Sequence, residues 1–76
     1  MYDVGRCLLS DKLKQAKMTQ QELASRLDVT KQQVNNYVFG HRIMSLSIAK
    51  NVATILGCSI DDLYEWEYVE NRKKRQ

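Results

Sequence analysis

At 76 residues, with 43% hydrophobic and 28% charged side chains, the chain has the composition of one small folded domain, which excludes a multi-domain or low-complexity protein. Cys7 and Cys58 are its only cysteines; they are too few for a disulfide scaffold, lack a Cys or His at metal-ligand spacing, and read as reduced structural thiols. The net charge of +3 is segregated: residues 1–50 carry eight Lys or Arg against four Asp or Glu, residues 51–71 carry five acids and no base, and residues 72–76 carry four bases, a layout that points to a polyanionic partner.

Residues 5 to 16 are predicted as a first, packing helix. Leu9, Leu13 and Ala16 share a stripe, and Lys12, Lys14 and Lys17 lie toward the C-terminal end, where cations suit the helix dipole. Two capping boxes follow, eleven residues apart, Thr19-x-x-Glu22 and Thr30-x-x-Gln33. In each, the Thr hydroxyl accepts from the backbone N–H three residues on while Glu or Gln reaches back, satisfying donors that a helix N-terminus leaves open. Leu23, Ala24 and Leu27 form the inner face of the second helix, and Val34, Tyr37 and Val38 that of the third. Only Asp28 and Val29 separate the two segments, so the helices must cross steeply and the third projects.

The outward positions of that third helix are Lys31, Gln32, Gln33, Asn35 and Asn36. A solvated helix face is ordinarily built from Glu, Lys and Arg, whereas Asn is a weaker helix former. Asn and Gln carry a donor and an acceptor on one planar group, which suits the major-groove edge of adenine, and Lys suits guanine. The pattern predicts a base-reading helix.

Gly40 is placed to stop the third helix, and residues 41–44 form a connecting loop. Ser45 opens a fourth helix with Ile48, Ala49, Val52, Ala53 and Leu56 inward and Gly57 at its end; Ser59 caps a short fifth helix with Asp61 and Asp62 in its first turn and Leu63 in the core. From Glu65 to Glu70 polar and apolar residues nearly alternate, with Trp66, Tyr68 and Val69 as strand formers. A short C-terminal strand is predicted, paired either with residues 1–4 of the same chain or with a second chain; the competing reading is one more fraying helical turn. The domain is therefore set at residues 1–70, followed by a basic tail over 71–76, expected to be disordered, whose Arg72, Lys73, Lys74 and Arg75 serve either phosphate attraction or solubility.

Residues 9 to 64 resemble the helix-turn-helix domain of the phage lambda repressor and Cro family, also termed XRE-like. The resemblance rests on Met18-Thr19-Gln20-Gln21-Glu22-Leu23-Ala24, Val29-Thr30, Tyr37-x-x-Gly40-x-Arg42, Ser45-Leu46 and the run from Leu56 to Tyr64. It implies an all-α, five-helix lambda-repressor-like domain, here with the short C-terminal strand, that binds operator DNA, commonly as a dimer. By position, Lys31, Gln32 and Asn36 would meet base edges, while Gln20, Thr30, Gln33, Asn35 and Arg42 would be backbone or flanking contacts. A helix N-terminus attracts phosphate in any case, which agrees with Gln20. Tyr37 is either a core ring or a phosphate-bonding hydroxyl.

Three positions depart from the family pattern. Where many relatives pair an Arg of the first helix with a Glu late in the third, this chain has Leu13 and Val38, and an apolar contact is expected at no cost to the fold. Asp28 stands where the turn usually has Gly, at a modest cost in stability. Phe39 occupies an often polar site near the DNA backbone and packs a dimer, the core or a sugar.

The expected activity is that of a Cro-like transcription regulator without cofactor, metal or small-molecule ligand, acting in the cytoplasm on double-stranded DNA as a homodimer through Trp66, Tyr68 and Val69. Neither a membrane span nor a secretory signal is expected, since no apolar run approaches roughly 20 residues. The alternative from another class is a protein-binding module such as an antitoxin or antirepressor. An enzyme is not expected, because His41, the only histidine, has no nucleophile or paired carboxylate at a working spacing.

Overall fold

The computed structural model describes residues 1–70, and the predicted basic tail lies outside the described residues. Strand β1 (Tyr2–Cys7) is followed by helices α1 (Leu9–Ala16), α2 (Gln20–Leu27), α3 (Lys31–Val38) and α4 (Leu46–Leu56), a 3-10 turn (Ile60–Leu63), and strand β2 (Tyr64–Tyr68). The predicted second, third and fourth helices stand where their caps put them. Thr19, Thr30 and Ser45 each accept a backbone N–H from three residues on.

All four helices end in one device. A left-handed residue closes each, Lys17, Asp28 and Gly57 at the cap itself and Gly40 just after the Phe39 cap, and the next N–H reaches back to a carbonyl five residues earlier: Met18 to Leu13, Val29 to Ala24, His41 to Asn36 and Cys58 to Ala53, at 2.9–3.0 Å. This is the Schellman motif, which occupies carbonyls that a helix end otherwise leaves open. Met18, Val29 and Cys58 then turn back onto the core.

The core takes Leu9 and Leu13 from α1, Leu23 and Ala24 from α2, Val34 and Tyr37 from α3, and Ala49, Val52 and Ala53 from α4, closed by Met44, Leu63 and Tyr64. Each fully buried Leu or Val contributes roughly 1.5–3 kcal/mol. Leu13 and Val38 both pack in this cluster, so apolar side chains fill the positions of the familial ion pair. Tyr37 is a core ring, and the phosphate-bonding alternative falls away.

Three expectations need correction. The first helix begins at Leu9 rather than at residue 5, because residues 2–7 are drawn into a strand, and Ala16, expected inward, is exposed. The fifth helix is only a 3-10 turn: four residues separate Ser59 from Tyr64, the Asp62 N–H closes on Ser59 O at 3.0 Å, and Tyr64 is already extended. The fold is therefore not all-α, since β1 and β2 make an antiparallel two-stranded sheet.

The predicted C-terminal strand finds its partner in the same chain. Tyr2 pairs with Tyr68, Asp3 with Glu67, Val4 with Trp66 and Cys7 with Tyr64. Between Val4 and Cys7, β1 advances three residues while β2 advances two, which makes a bulge at Gly5 and Arg6. A side chain at Gly5 would begin 2.8 Å from the Glu65 carbonyl oxygen, so only glycine allows this approach. Arg6 meets Glu65 at 3.4 Å in an exposed ion pair worth little by itself.

Candidate nucleic-acid interface

The candidate interface is built at two helix starts. Thr19 and Glu22 exchange bonds of 3.1 and 2.8 Å across the first turn of α2, leaving the N–H groups of Gln20 and Gln21 without a partner inside the helix. The Thr19 N–H donating to the Glu22 carboxylate holds that group below the ordinary glutamate range. In α3, Gln33 N–H donates to Thr30 Oγ1 at 3.1 Å and Thr30 N–H to Gln33 Oε1 at 3.5 Å. Thr30 and Gln33 are thus engaged in the cap, and Gln33 retains only its NH₂ group for an outside partner.

Between the helices, Asp28 takes φ 60° and turns the chain in one residue. Val34 and Tyr37 are buried, so the face of α3 turned to solvent is centred near Gln32, given about 100° per residue. On that face the Gln32 amide donates to the Asn36 carbonyl oxygen at 3.0 Å, which holds the two planar groups as one unit. Beside them, Gln20, Lys31, Asn35 and Phe39 line a shallow groove of about 400 Å³ between the start of α2 and the length of α3.

The eight expected contact residues therefore divide. Gln32 and Asn36 are brought together by a hydrogen bond, Gln20, Lys31 and Asn35 by the groove, and Thr30 and Gln33 by the cap. Arg42, in the loop after α3, lines a second hollow with Arg6 and Ile43, which adjoins the groove at Phe39. That loop is fastened by the Met44 N–H, which donates to the buried Tyr64 hydroxyl at 3.1 Å; burial pushes ionisation of this hydroxyl upward. The acids Asp61, Asp62, Glu65 and Glu67 belong to the 3-10 turn and β2, away in sequence from the two crossing helices. Among the described residues, no helix is long and apolar enough to cross a membrane, and no group of His, Cys, Asp or Glu is placed to hold a metal ion.

Phe39 is the member of this surface for which the sequence offered several places. It is 67% exposed and shares the groove, so it is no core residue. Its spacing of seven from Gln32 would have located it, because two turns bring a helix back to nearly the same face.

The profile of the helix-turn-helix family matches residues 9–63, from the start of α1 to the end of the 3-10 turn. The chain belongs to that family. The helix-turn-helix body thus carries the match, and the sheet strands flank it. Among curated relatives, the SPbeta prophage-derived uncharacterized HTH-type transcriptional regulator YopS of Bacillus subtilis (strain 168) is 32% identical over 66 residues, covering 86% of this chain and 89% of its own. The SPbeta prophage-derived uncharacterized HTH-type transcriptional regulator YotL of the same strain is 35% identical over 54 residues, covering 70% of this chain and 68% of its own. A solved structure described as FeII HppE in complex with substrate superposes with a TM-score of 0.71 and 34% identity over 76% of this chain. The chain spans 34% of that structure, and the iron and substrate in its description are said of that longer protein.

Proposed function

We propose that this helix-turn-helix protein is a DNA-binding transcription regulator of the Cro or short phage-repressor kind, which reads a palindromic operator with α3 in the major groove. The observation that carries this is the solvent face of α3, where Gln32 and Asn36 are joined by a 3.0 Å amide hydrogen bond and Lys31 lies beside them. Amide pairs and a cation match base edges, and the groove at the start of α2 suits a phosphate through the N–H groups of Gln20 and Gln21. In this reading Lys31, Gln32 and Asn36 meet bases, while Gln20, Thr30, Gln33, Asn35 and Arg42 hold the backbone or flanks. Both relatives are named HTH-type transcriptional regulators, which supports the assignment.

The protein acts in the cytoplasm as a homodimer, joined through the aromatic side of the sheet at Trp66, Tyr68 and Val69. Tyr2 and Tyr68 leave 66% and 59% of their surfaces exposed there, and their rings meet edge to face at 5.3 Å. To read a palindrome, the two α3 helices of the dimer must stand about 34 Å apart, one per half-site. Regulation works by occupancy of the operator.

The test is selection of duplexes from a random library at near-physiological salt, with Gln32→Ala and Asn36→Ala beside the unaltered chain. A sharp palindrome that blurs in both variants is expected, with binding that weakens steeply as salt rises. Failure to enrich any motif would overturn the proposal. The same exposed aromatics favour the second reading, a protein-binding module, for which capture of a protein with salt-insensitive affinity would be decisive.

A further inference from the structure

Phe39 sits where a polar residue would be expected and makes no use of the core. It is the C-cap of α3, and its backbone is fixed on both sides: its N–H donates to Asn35 O at 3.0 Å, and the following Gly40 and His41 close on Tyr37 O and Asn36 O at 3.2 and 2.9 Å. The His41 ring lies at 6.4 Å, tilted by 40° from the Phe39 ring. Along α3, Phe39 falls seven residues after Gln32 and four after Asn35, on the same outward face. It stands between the groove lined by Gln20, Lys31 and Asn35 and the hollow lined by Arg42 and Ile43.

An apolar ring there has no donor to offer a phosphate. The apolar features that DNA presents to a helix in the major groove are the sugars and the C5 methyl of thymine, and only the methyl distinguishes one base from another. We propose that Phe39 is a specificity-determining residue that reads a thymine methyl at the edge of each half-site, beyond the bases met by Gln32 and Asn36. The inference rests on the reading of α3 as the base-reading helix.

The experiment uses the whole chain and the motif that it selects. Each thymine of that duplex is replaced in turn by uracil, which removes the methyl and nothing else, and affinities are measured for the unaltered chain, Phe39→Ala and Phe39→Leu. Circular dichroism verifies the fold of each variant. One thymine per half-site should lose about fourfold in affinity on replacement, the effect of leaving one methyl in water. Phe39→Ala should be indifferent to that replacement, and Phe39→Leu should keep part of the response.

Three results would overturn the proposal. Undiminished uracil sensitivity in Phe39→Ala would mean that another residue reads the methyl. A uniform loss of affinity without sensitivity to uracil would make the ring a sugar contact. Changed sedimentation with unchanged base selection would make it a protein contact. In all three the selected motif persists, so the base-reading role of α3 stands; absence of any motif would remove both readings at once.

Discussion

Among the described residues, two hold a left-handed backbone without being glycine, and both end a helix. Lys17 and Asp28 sit at φ 56° and 60° in the positions that Gly40 and Gly57 fill for the other two helices. An L side chain in that region costs about 1–2 kcal/mol, less for Asp, whose short polar group tolerates it. Asp28→Gly is therefore expected to stabilise the domain by about 0.5–1 kcal/mol, after the added freedom of the unfolded chain is set against the relieved strain. Thermal unfolding should show a midpoint several degrees higher; a lower one would mean that the Asp side chain supports the turn. Glu22 gives a pH signature. The Thr19 N–H donating to its carboxylate keeps its folded pKa low, so its contribution is present above the ordinary glutamate value and fades as pH falls through the folded one. Glu22→Gln, which still accepts the bond, should lose less thermal stability than the unaltered chain between about pH 5 and pH 3.

Among the elements, the sheet depends on one glycine. Gly5→Ala would put a methyl 2.8 Å from the Glu65 carbonyl oxygen, and backbone on both sides leaves little room to yield. The sheet should loosen while the helices persist, visible as a red shift of emission from Trp66, the only tryptophan, with helical circular dichroism retained; unchanged emission would show that the bulge accommodates the methyl. The elements also differ in how plainly the sequence announced them. The helix-turn-helix was legible because Thr19-Glu22 and Thr30-Gln33 act within one turn, and local hydrogen bonds follow local sequence. Strand β1 was legible only in part: residues 1–4 stood as one of two possible partners for the C-terminal strand, but Gly5 and Arg6, poor strand formers, hid its extension through the bulge to Cys7. Composition and spacing could place Gln32 and Asn36 together on the outward face of α3, but their mutual hydrogen bond and the place of Arg42 in the hollow beyond Phe39 depend on side-chain packing and loop path.

At the scale of the whole molecule, the described residues extend 44 × 21 × 19 Å, a body about twice as long as it is wide. Every buried core residue lies between Leu9 and Tyr64, and a two-stranded ribbon by itself is marginal in water. A chain ending at Tyr64 should accordingly keep its helices and, if the proposed dimer forms through Trp66 to Val69, self-associate more weakly, read as a smaller sedimentation coefficient at matched concentration; unchanged sedimentation would exclude that surface as a dimer contact.

The pairing of β1 with β2 also bears on synthesis. Residues 2–7 are made before their partners at 64–68, which follow only after about sixty more residues, a wait of several seconds at 5–20 residues per second. Each helix, by contrast, is complete about ten residues after it begins. Local helices can therefore form while the first strand still lacks its partner, and pairing that strand carries the closure cost of a loop nearly as long as the domain itself.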